Sequence, residues 1–214
     1  MMSVSDRRLF DGPTSSKATL LLAHGAGAGM ESSFMEATAQ GLAGLGWHVV
    51  RFEFPYMQRQ RLLGKRRPPD RAEILIEHFR EQVSALAGSS PLFIGGKSMG
   101  GRIASLVAAS LFDQDQIRAC LCLGYPFHPL GRPDNLRIEH LQKITSPVLI
   151  VQGERDAMGR LDEVETYPLA PAVELAWIPD GDHSFKPRQR SGHSESSNLK
   201  LAVEMADHFL CKFL

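Results

Sequence analysis

The sequence predicts an α/β protein, in which a mostly parallel, doubly wound sheet of six or seven strands is flanked by helices. Short apolar runs alternate with segments of helical periodicity along the whole chain. The runs are almost continuously apolar, as expected for parallel strands that are buried on both faces. With 214 residues, of which 43% are hydrophobic, the chain is neither disordered nor too short for a core. We therefore expect residues 1–214 to form a single domain.

Six of the apolar runs are candidate strands. They cover residues 18–23, 47–54, 92–94, 119–123, 147–151 and 173–178. In doubly wound sheets, ligands bind beyond the carboxyl ends of the strands. The residues directly after each run are therefore the candidates for a functional site.

Four segments have apolar residues at helical spacing and are predicted helices. They cover residues 33–45, residues 72–86, a stretch that follows Ser98, and residues from about 198 to the end. The segments 55–70 and 186–197 have no such pattern and are predicted to be the loosest parts of the chain.

Composition and charge exclude several classes of protein. Because 24 basic residues balance 24 acidic ones, we expect neither nucleic-acid binding nor a polybasic membrane anchor. The apolar runs are too short for membrane insertion, and three cysteines do not form a disulfide framework. Charged residues near the amino terminus, such as Arg7, Arg8 and Asp11, argue against a signal peptide, so the expected location is the cytoplasm.

A candidate nucleophile follows the third run, in the pattern Gly96-Lys97-Ser98-Met99-Gly100. A serine on a sharp turn between strand and helix has a strained backbone and projects its hydroxyl above the sheet. Glycines two residues to either side allow the strand and the helix to approach closely. Ser98 alone could equally be a helix cap, so the assignment depends on its partners.

The partners follow the fifth and sixth runs. Asp156 comes after the fifth run and His183 after the sixth. A nucleophilic serine needs a base, and the base needs an acid that orients it. The order Ser98, Asp156, His183 therefore predicts a catalytic triad at three strand ends.

A glycine-rich segment, His24 to Gly29, follows the first run and is the candidate oxyanion-binding loop. Two backbone N–H groups must point at one position to bind an oxyanion. We assign this role to the amides of Ala26 and Met99, although a neighbour of Ala26 in the same loop could serve instead.

The stretches LLLAHGAGAGM, FIGGKSMGGR, VLIVQGERDAMG and IPDGDHSF resemble small α/β-hydrolases of the dienelactone-hydrolase-like type. They are most similar to a branch of predicted hydrolases related to a subunit of a chromatin acetyltransferase complex. The resemblance implies the α/β-hydrolase fold, with Ser98 as nucleophile, His183 as base, Asp156 as acid and the oxyanion amides at Ala26 and Met99. It also implies a small-molecule acyl substrate such as an ester, without a metal or an organic cofactor. The chain has no insertion large enough for a separate lid domain.

Several alternatives for individual residues stay open at this stage. Rival acids for His183 are Glu154, Asp180 and Asp182, with Asp134 and Glu139 as a further acidic site. Gly96-Lys97-Ser98 also resembles the end of a phosphate-binding loop, but Pro91 occupies the place of its first glycine. Cys120 and Cys122, with His24 and His128, could suggest a metal site, but buried structural cysteines are the simpler interpretation.

Residues 59–71 carry six cations against one acid, Asp70. Such a charge run is usually a solvated loop, but this one follows a strand end and could attract an anionic substrate. An acyl thioesterase that recognises a phosphorylated carrier is accordingly one alternative to an esterase. A binding or scaffold protein that keeps the fold without turnover is another. The oligomeric state is not determined by these features.

Overall fold

A computed structural model of the chain describes residues 7–16, 18–86, 88 and 91–214. Its seven strands form one sheet in the order β1-β3-β2-β4-β5-β6-β7. The strands are β1 (Arg8–Asp11), β2 (Thr19–Ala23), β3 (His48–Phe52), β4 (Leu92–Lys97), β5 (Cys120–Leu123), β6 (Val148–Gly153) and β7 (Val173–Ile178). Only β1 is antiparallel to its neighbour within this sheet. The predicted mostly parallel sheet is confirmed, with each of the six predicted strands present.

Six α-helices lie among the described residues. They are α1 (Ser33–Gly44), α2 (Pro55–Leu63), α3 (Ala72–Ser84), α4 (Met99–Asp113), α5 (Leu161–Val164) and α6 (Glu195–Leu210), and a 3₁₀ turn (Cys211–Phe213) follows the last. The helices predicted at 33–45, at 72–86 and after Ser98 are confirmed within a few residues at their ends.

Helices cover both faces of the sheet, so that each central strand contributes to two cores. Along β2, Leu21 and Ala23 pack with residues of α3 and α4, whereas Leu20 and Leu22 pack with residues of α1 and α6. This alternation follows from the two-residue period of a strand. Burial on both faces explains why the strands are almost continuously apolar in the sequence.

Four elements differ from the sequence-based expectation. One is the single-turn helix α5, which lies where no helix was predicted. The edge strand β1 was not predicted, because Arg8–Asp11 lacks an apolar run and pairs only with the distant β3. The segment 55–70, expected to be loose, begins with α2, which has a proline at its first turn and ends at Gly64 in the left-handed conformation. Helix α6 begins at Glu195 rather than near 198, and Ser194 caps it with a hydrogen bond from the Ser197 amide.

Residues 124–147, between β5 and β6, contain no helix or strand. The expected absence of a separate lid domain agrees with this short, irregular connection. Cys120 and Cys122 are both buried in the core as predicted, and both are free thiols. Among the described residues, none of the helices combines the length and the apolar character that a bilayer span requires.

Candidate active site

Ser98 occupies a strained turn between β4 and α4. Its backbone lies at φ 52° and ψ −115°, a region that few non-glycine residues adopt. The flanking glycines make this turn possible. A Cβ atom at Gly96 would lie 2.5 Å from the carbonyl carbon of Gly100, and one at Gly100 would lie 2.5 Å from the carbonyl oxygen of Ala23. The close approach that the G-x-S-x-G pattern predicts is therefore present.

The structure brings the three predicted triad residues together. The Ser98 hydroxyl donates to Nε2 of His183 over 2.8 Å, and Nδ1–H of His183 donates to Oδ2 of Asp156 over 2.7 Å. Each residue stands just beyond the carboxyl end of its own strand, β4, β6 or β7. Parallel strands bring these ends to one edge of the sheet, so residues 85 positions apart in the chain come into contact.

Asp156 is fully buried, and its carboxylate has three hydrogen-bond donors. Besides His183, the side chain of Gln152 donates to Oδ2 over 2.8 Å and the amide of Met158 donates to Oδ1 over 2.9 Å. Gln152 in turn pairs with both the amide and the carbonyl of Tyr125 at the end of β5. This network holds the carboxylate in one orientation toward the imidazole.

The rival acids have other partners. Glu154 accepts the backbone amide of Asp180, and Asp180 forms ion pairs with Arg155 and Arg188. Asp182 turns back on its own loop and accepts the amides at positions 184 and 186. Asp134 and Glu139 are exposed at the surface. Of the acids that the sequence left open, Asp156 is the one in contact with His183.

The loop that carries His183 is held from two sides. Nδ2 of Asn198, in α6, donates to the carbonyls of Pro179 and Phe185. The ammonium group of Lys97 donates to the carbonyl oxygen of His183 and lies 5.0 Å from the ring centroid of Phe34. Burial lowers the pKa of Lys97 to about 8. The sequence analysis missed the role of Lys97, although its place inside the G-x-S-x-G pattern was a signal.

The glycine-rich loop after β2 lies beside the nucleophile, and Ala26 and Met99 line the same cavity as Ser98. Met99 is the first residue of α4, so its N–H has no partner within the helix. The carbonyl of Ala26 accepts the Tyr56 hydroxyl over 3.0 Å, which anchors the loop. Both residues predicted to bind the oxyanion therefore lie at the cavity that contains Ser98.

His24 forms a second anchor for this loop. Its Nδ1–H donates to the carbonyl of Gly25 over 2.7 Å, and its Nε2 accepts the amide of Phe54 over 3.1 Å. The ring is fully buried, and burial lowers the pKa of His24 to about 4. His24 therefore stays neutral and connects the oxyanion loop to the end of β3. The sequence analysis placed His24 at the start of the candidate oxyanion-binding loop but did not predict these hydrogen bonds.

A cavity of about 790 Å³ opens above Ser98 and His183. Apolar side chains supply much of its wall, among them Phe34, Met35, Leu75, Ile103 and Met158. Three cationic side chains, Lys97, Arg102 and Arg137, and two acidic ones, Asp70 and Glu195, complete the charged part of the lining. The cavity has room for an organic molecule of moderate size.

The cations of segment 59–71 lie elsewhere. Arg59 pairs with Asp70, and Arg61 pairs with the buried Glu53. Residues 65–67 are exposed, and none of these cations lines the cavity above Ser98. In the described part of the chain, no three His, Cys, Asp or Glu side chains cluster as a metal would require.

Comparison with known proteins agrees with this architecture. Residues 16–211 match the alpha/beta hydrolase domain family. Dienelactone hydrolase from Anabaena variabilis is similar in structure, with a TM-score of 0.71 and 20% identity over 99% of this chain and 95% of that chain. Est1E from Butyrivibrio proteoclasticus has a TM-score of 0.68 and 18% identity over 96% and 93% of the two chains.

A third similar structure is XC6422 from Xanthomonas campestris, described as a serine hydrolase without a lid. Its TM-score is 0.67, and it is 20% identical over 97% of this chain and 88% of that chain. At these identities the three structures show that this chain shares their fold. Since the family match extends over nearly the whole sequence, the chain belongs to the alpha/beta hydrolase domain family.

Proposed function

We propose that the protein is a serine hydrolase that cleaves an ester or a related acyl bond through an acyl-enzyme intermediate. The observation that carries the proposal is the continuous hydrogen-bonded chain from Ser98 through His183 to the buried Asp156. Both distances are below 3 Å, as a nucleophile, a base and an orienting acid require.

The reaction follows from this arrangement. As Ser98 Oγ bonds to the acyl carbon, its proton passes to Nε2 of His183, and the carbonyl oxygen becomes an oxyanion near the amides of Ala26 and Met99. Collapse of the tetrahedral intermediate breaks the bond to the leaving group, which receives the proton from His183. Water then loses a proton to His183 as it attacks the acyl carbon. The bond between that carbon and Ser98 Oγ breaks, the acid leaves, and His183 returns the proton to Oγ. Asp156 holds the tautomer of His183 and stabilises its cationic form.

Labelling by a fluorophosphonate tests the proposal directly. The wild-type protein should form a covalent phosphonyl adduct at Ser98, identified by mass spectrometry of the peptide. Ser98→Ala should lose both the adduct and ester hydrolysis. Ser84→Ala, a change at the exposed end of α3, is the matched control and should behave like the wild type. Equal labelling of Ser98→Ala and wild type would contradict the assignment.

The alternatives have less support. The contact between Ser98 and His183 argues against a scaffold protein without turnover, since such a protein has no need of that geometry. A thioesterase for a phosphorylated carrier depended on the cations of segment 59–71, and these do not line the cavity. Neither the family match nor the three structures named above links the chain to a chromatin complex, so the proposal includes no such partner.

A further inference from the structure

Two guanidinium groups line the wall of the cavity above Ser98. Arg102 lies one turn after Ser98 in α4, where its amide donates to the Ser98 carbonyl over 2.9 Å, so both side chains leave the same face of the helix. Arg137 lies between β5 and β6. Its amide donates to the carbonyl of Phe127 over 2.7 Å, and its carbonyl accepts the Tyr125 hydroxyl over 2.8 Å. The backbone under each arginine is therefore fixed.

Neither guanidinium group has an acidic partner in the described part of the chain. Nε of Arg102 is buried and has no hydrogen-bond partner among the described residues. Of the two acids in the cavity lining, Asp70 forms an ion pair with Arg59, and Glu195 forms no ion pair with either arginine. A buried donor without a partner is unfavourable, and so is a pair of neighbouring like charges. Both features are consistent with a place prepared for an anion.

The charges around the two arginines do not compensate them. Burial, together with the charge of Arg102, lowers the pKa of Arg137. The same two causes lower the pKa of His140 to about 4, so this ring, in contact with the Ser105 hydroxyl at 2.8 Å, is neutral near pH 7. This part of the cavity wall is therefore positive, although the whole chain has no net charge.

We propose that Arg102 and Arg137 form an anion-binding subsite, and that the substrate of the hydrolase carries a carboxylate or a phosphate group bound there. This inference rests on the proposed function and specifies its substrate class. A guanidinium group presents a planar fork of donors that matches both oxyanions. The sequence alone suggested that segment 59–71 attracts an anionic substrate. In this proposal the anion binds at the cavity wall instead.

Matched ester pairs test the subsite. For an anion on the acyl side, 4-nitrophenyl hemiglutarate is compared with its methyl ester, which has nearly the same shape but no charge. The leaving-group side is tested with 4-acetoxybenzoate against methyl 4-acetoxybenzoate. A phosphonate pair, 4-nitrophenyl 4-phosphonobutyrate and its dimethyl ester, distinguishes a phosphate subsite from a carboxylate subsite. The measured quantity is the ratio of kcat/KM for the charged member to that for the neutral member.

The wild type should prefer the charged member of at least one pair by about tenfold or more, the usual effect of a charge-assisted hydrogen bond. Arg102→Gln and Arg137→Gln should each remove most of this preference, and Arg102→Lys should keep part of it. Arg132→Gln changes an exposed arginine outside the cavity and should retain the wild-type ratio. A variant that lowers the amount of folded protein lowers the rates for both members of a pair equally. The ratio of their kcat/KM values therefore does not change.

Two results would overturn the proposal. One is a wild type without preference for the charged member of any pair, and the other is a preference that survives both Arg102→Gln and Arg137→Gln. Failure of the hydrolase function is distinguished by a binding measurement that needs no turnover. Ser98→Ala should bind glutarate or inorganic phosphate in calorimetry, and Ser98→Ala/Arg102→Gln should bind it about tenfold or more weakly. This difference supports the subsite even where no ester is cleaved, and its absence contradicts it.

Discussion

At the scale of single residues, the candidate site depends on buried polar side chains that position other groups. Gln152 orients Asp156, Lys97 binds the carbonyl of His183, and His24 holds the loop that contains Ala26. Asp156 and His183 could be predicted because each follows a strand end in the expected chain order. The residues that position them could not, since their partners lie up to 86 positions away in the chain.

His24 predicts a specific pH dependence of stability. Burial, to which the charge of His78 adds, lowers the pKa of His24 from 6.5 in the unfolded chain to about 4. Below pH 6.5 the unfolded chain binds this proton while the folded chain does not, so stability decreases as the pH falls from 6.5 toward 4. The decrease should approach about 3 kcal/mol.

Urea unfolding at several pH values measures this effect. His24→Gln keeps an acceptor for the Phe54 amide but has no titrating group, so its stability should fall less than that of the wild type over this range. His193→Gln, at an exposed position, should follow the wild-type curve. Parallel curves for wild type and His24→Gln would show that His24 does not carry this dependence.

At the scale of elements, the geometry at Ser98 depends on the contact between β2, β4 and α4. We predict that Gly100→Ala destabilises the protein by about 1–3 kcal/mol, because its Cβ would meet the carbonyl oxygens of Ala23 and His24 at 2.5 and 2.6 Å. To relieve this clash, α4 would have to move away from β2. Because α4 begins directly after Ser98, this movement should also lower esterase activity and fluorophosphonate labelling.

Gly44→Ala in α1 is the matched control. Nothing lies within 4 Å of a Cβ atom at this position, so thermal unfolding should show equal or higher stability and unchanged activity. If Gly100→Ala and Gly44→Ala unfold at the same temperature, the close backbone contacts at Gly100 do not require a glycine, and the prediction is wrong.

The elements also differ in how well the sequence predicts them. Strands β2 and β4 are apolar on both faces and are evident from the sequence, whereas β1 is half exposed and depends on pairing with β3. Helix α2 has few buried residues and no apolar stripe, so only its proline and Gly64 signalled its ends. The periodicity of apolar residues reflects which side chains are buried. It therefore does not reveal an element that buries few side chains.

At the scale of the whole molecule, the short connection across residues 124–147 forms no separate lid domain over the cavity. Without a segment that must open, hydrolysis should saturate smoothly as the concentration of a sparingly soluble ester rises through its solubility limit. Initial rates of a medium-chain nitrophenyl ester, measured by pH-stat on both sides of that limit, check this. A sharp rise in rate where the ester begins to aggregate would indicate a mobile cover over the site.

The balanced charge of the whole chain does not extend to each part of its surface. The balance of 24 cations and 24 acids is an average, and it conceals where each charge lies. Most of segment 59–71 is exposed or paired with acids, whereas Arg102 and Arg137 line the cavity and form no ion pair with the described residues. Charge counted along a sequence does not indicate which groups face one another.

The sequence by itself determined the fold class, the strands β2 to β7, and the strand ends at which Ser98, Asp156 and His183 stand. It could do so because burial on both faces and strand-end loops leave patterns that are local in the chain. Only the tertiary structure decided which acid meets His183, how Lys97 and His24 position the site, and that two arginines share a cavity wall. These contacts join residues far apart in the chain, and their distances depend on how the sheet and the helices pack.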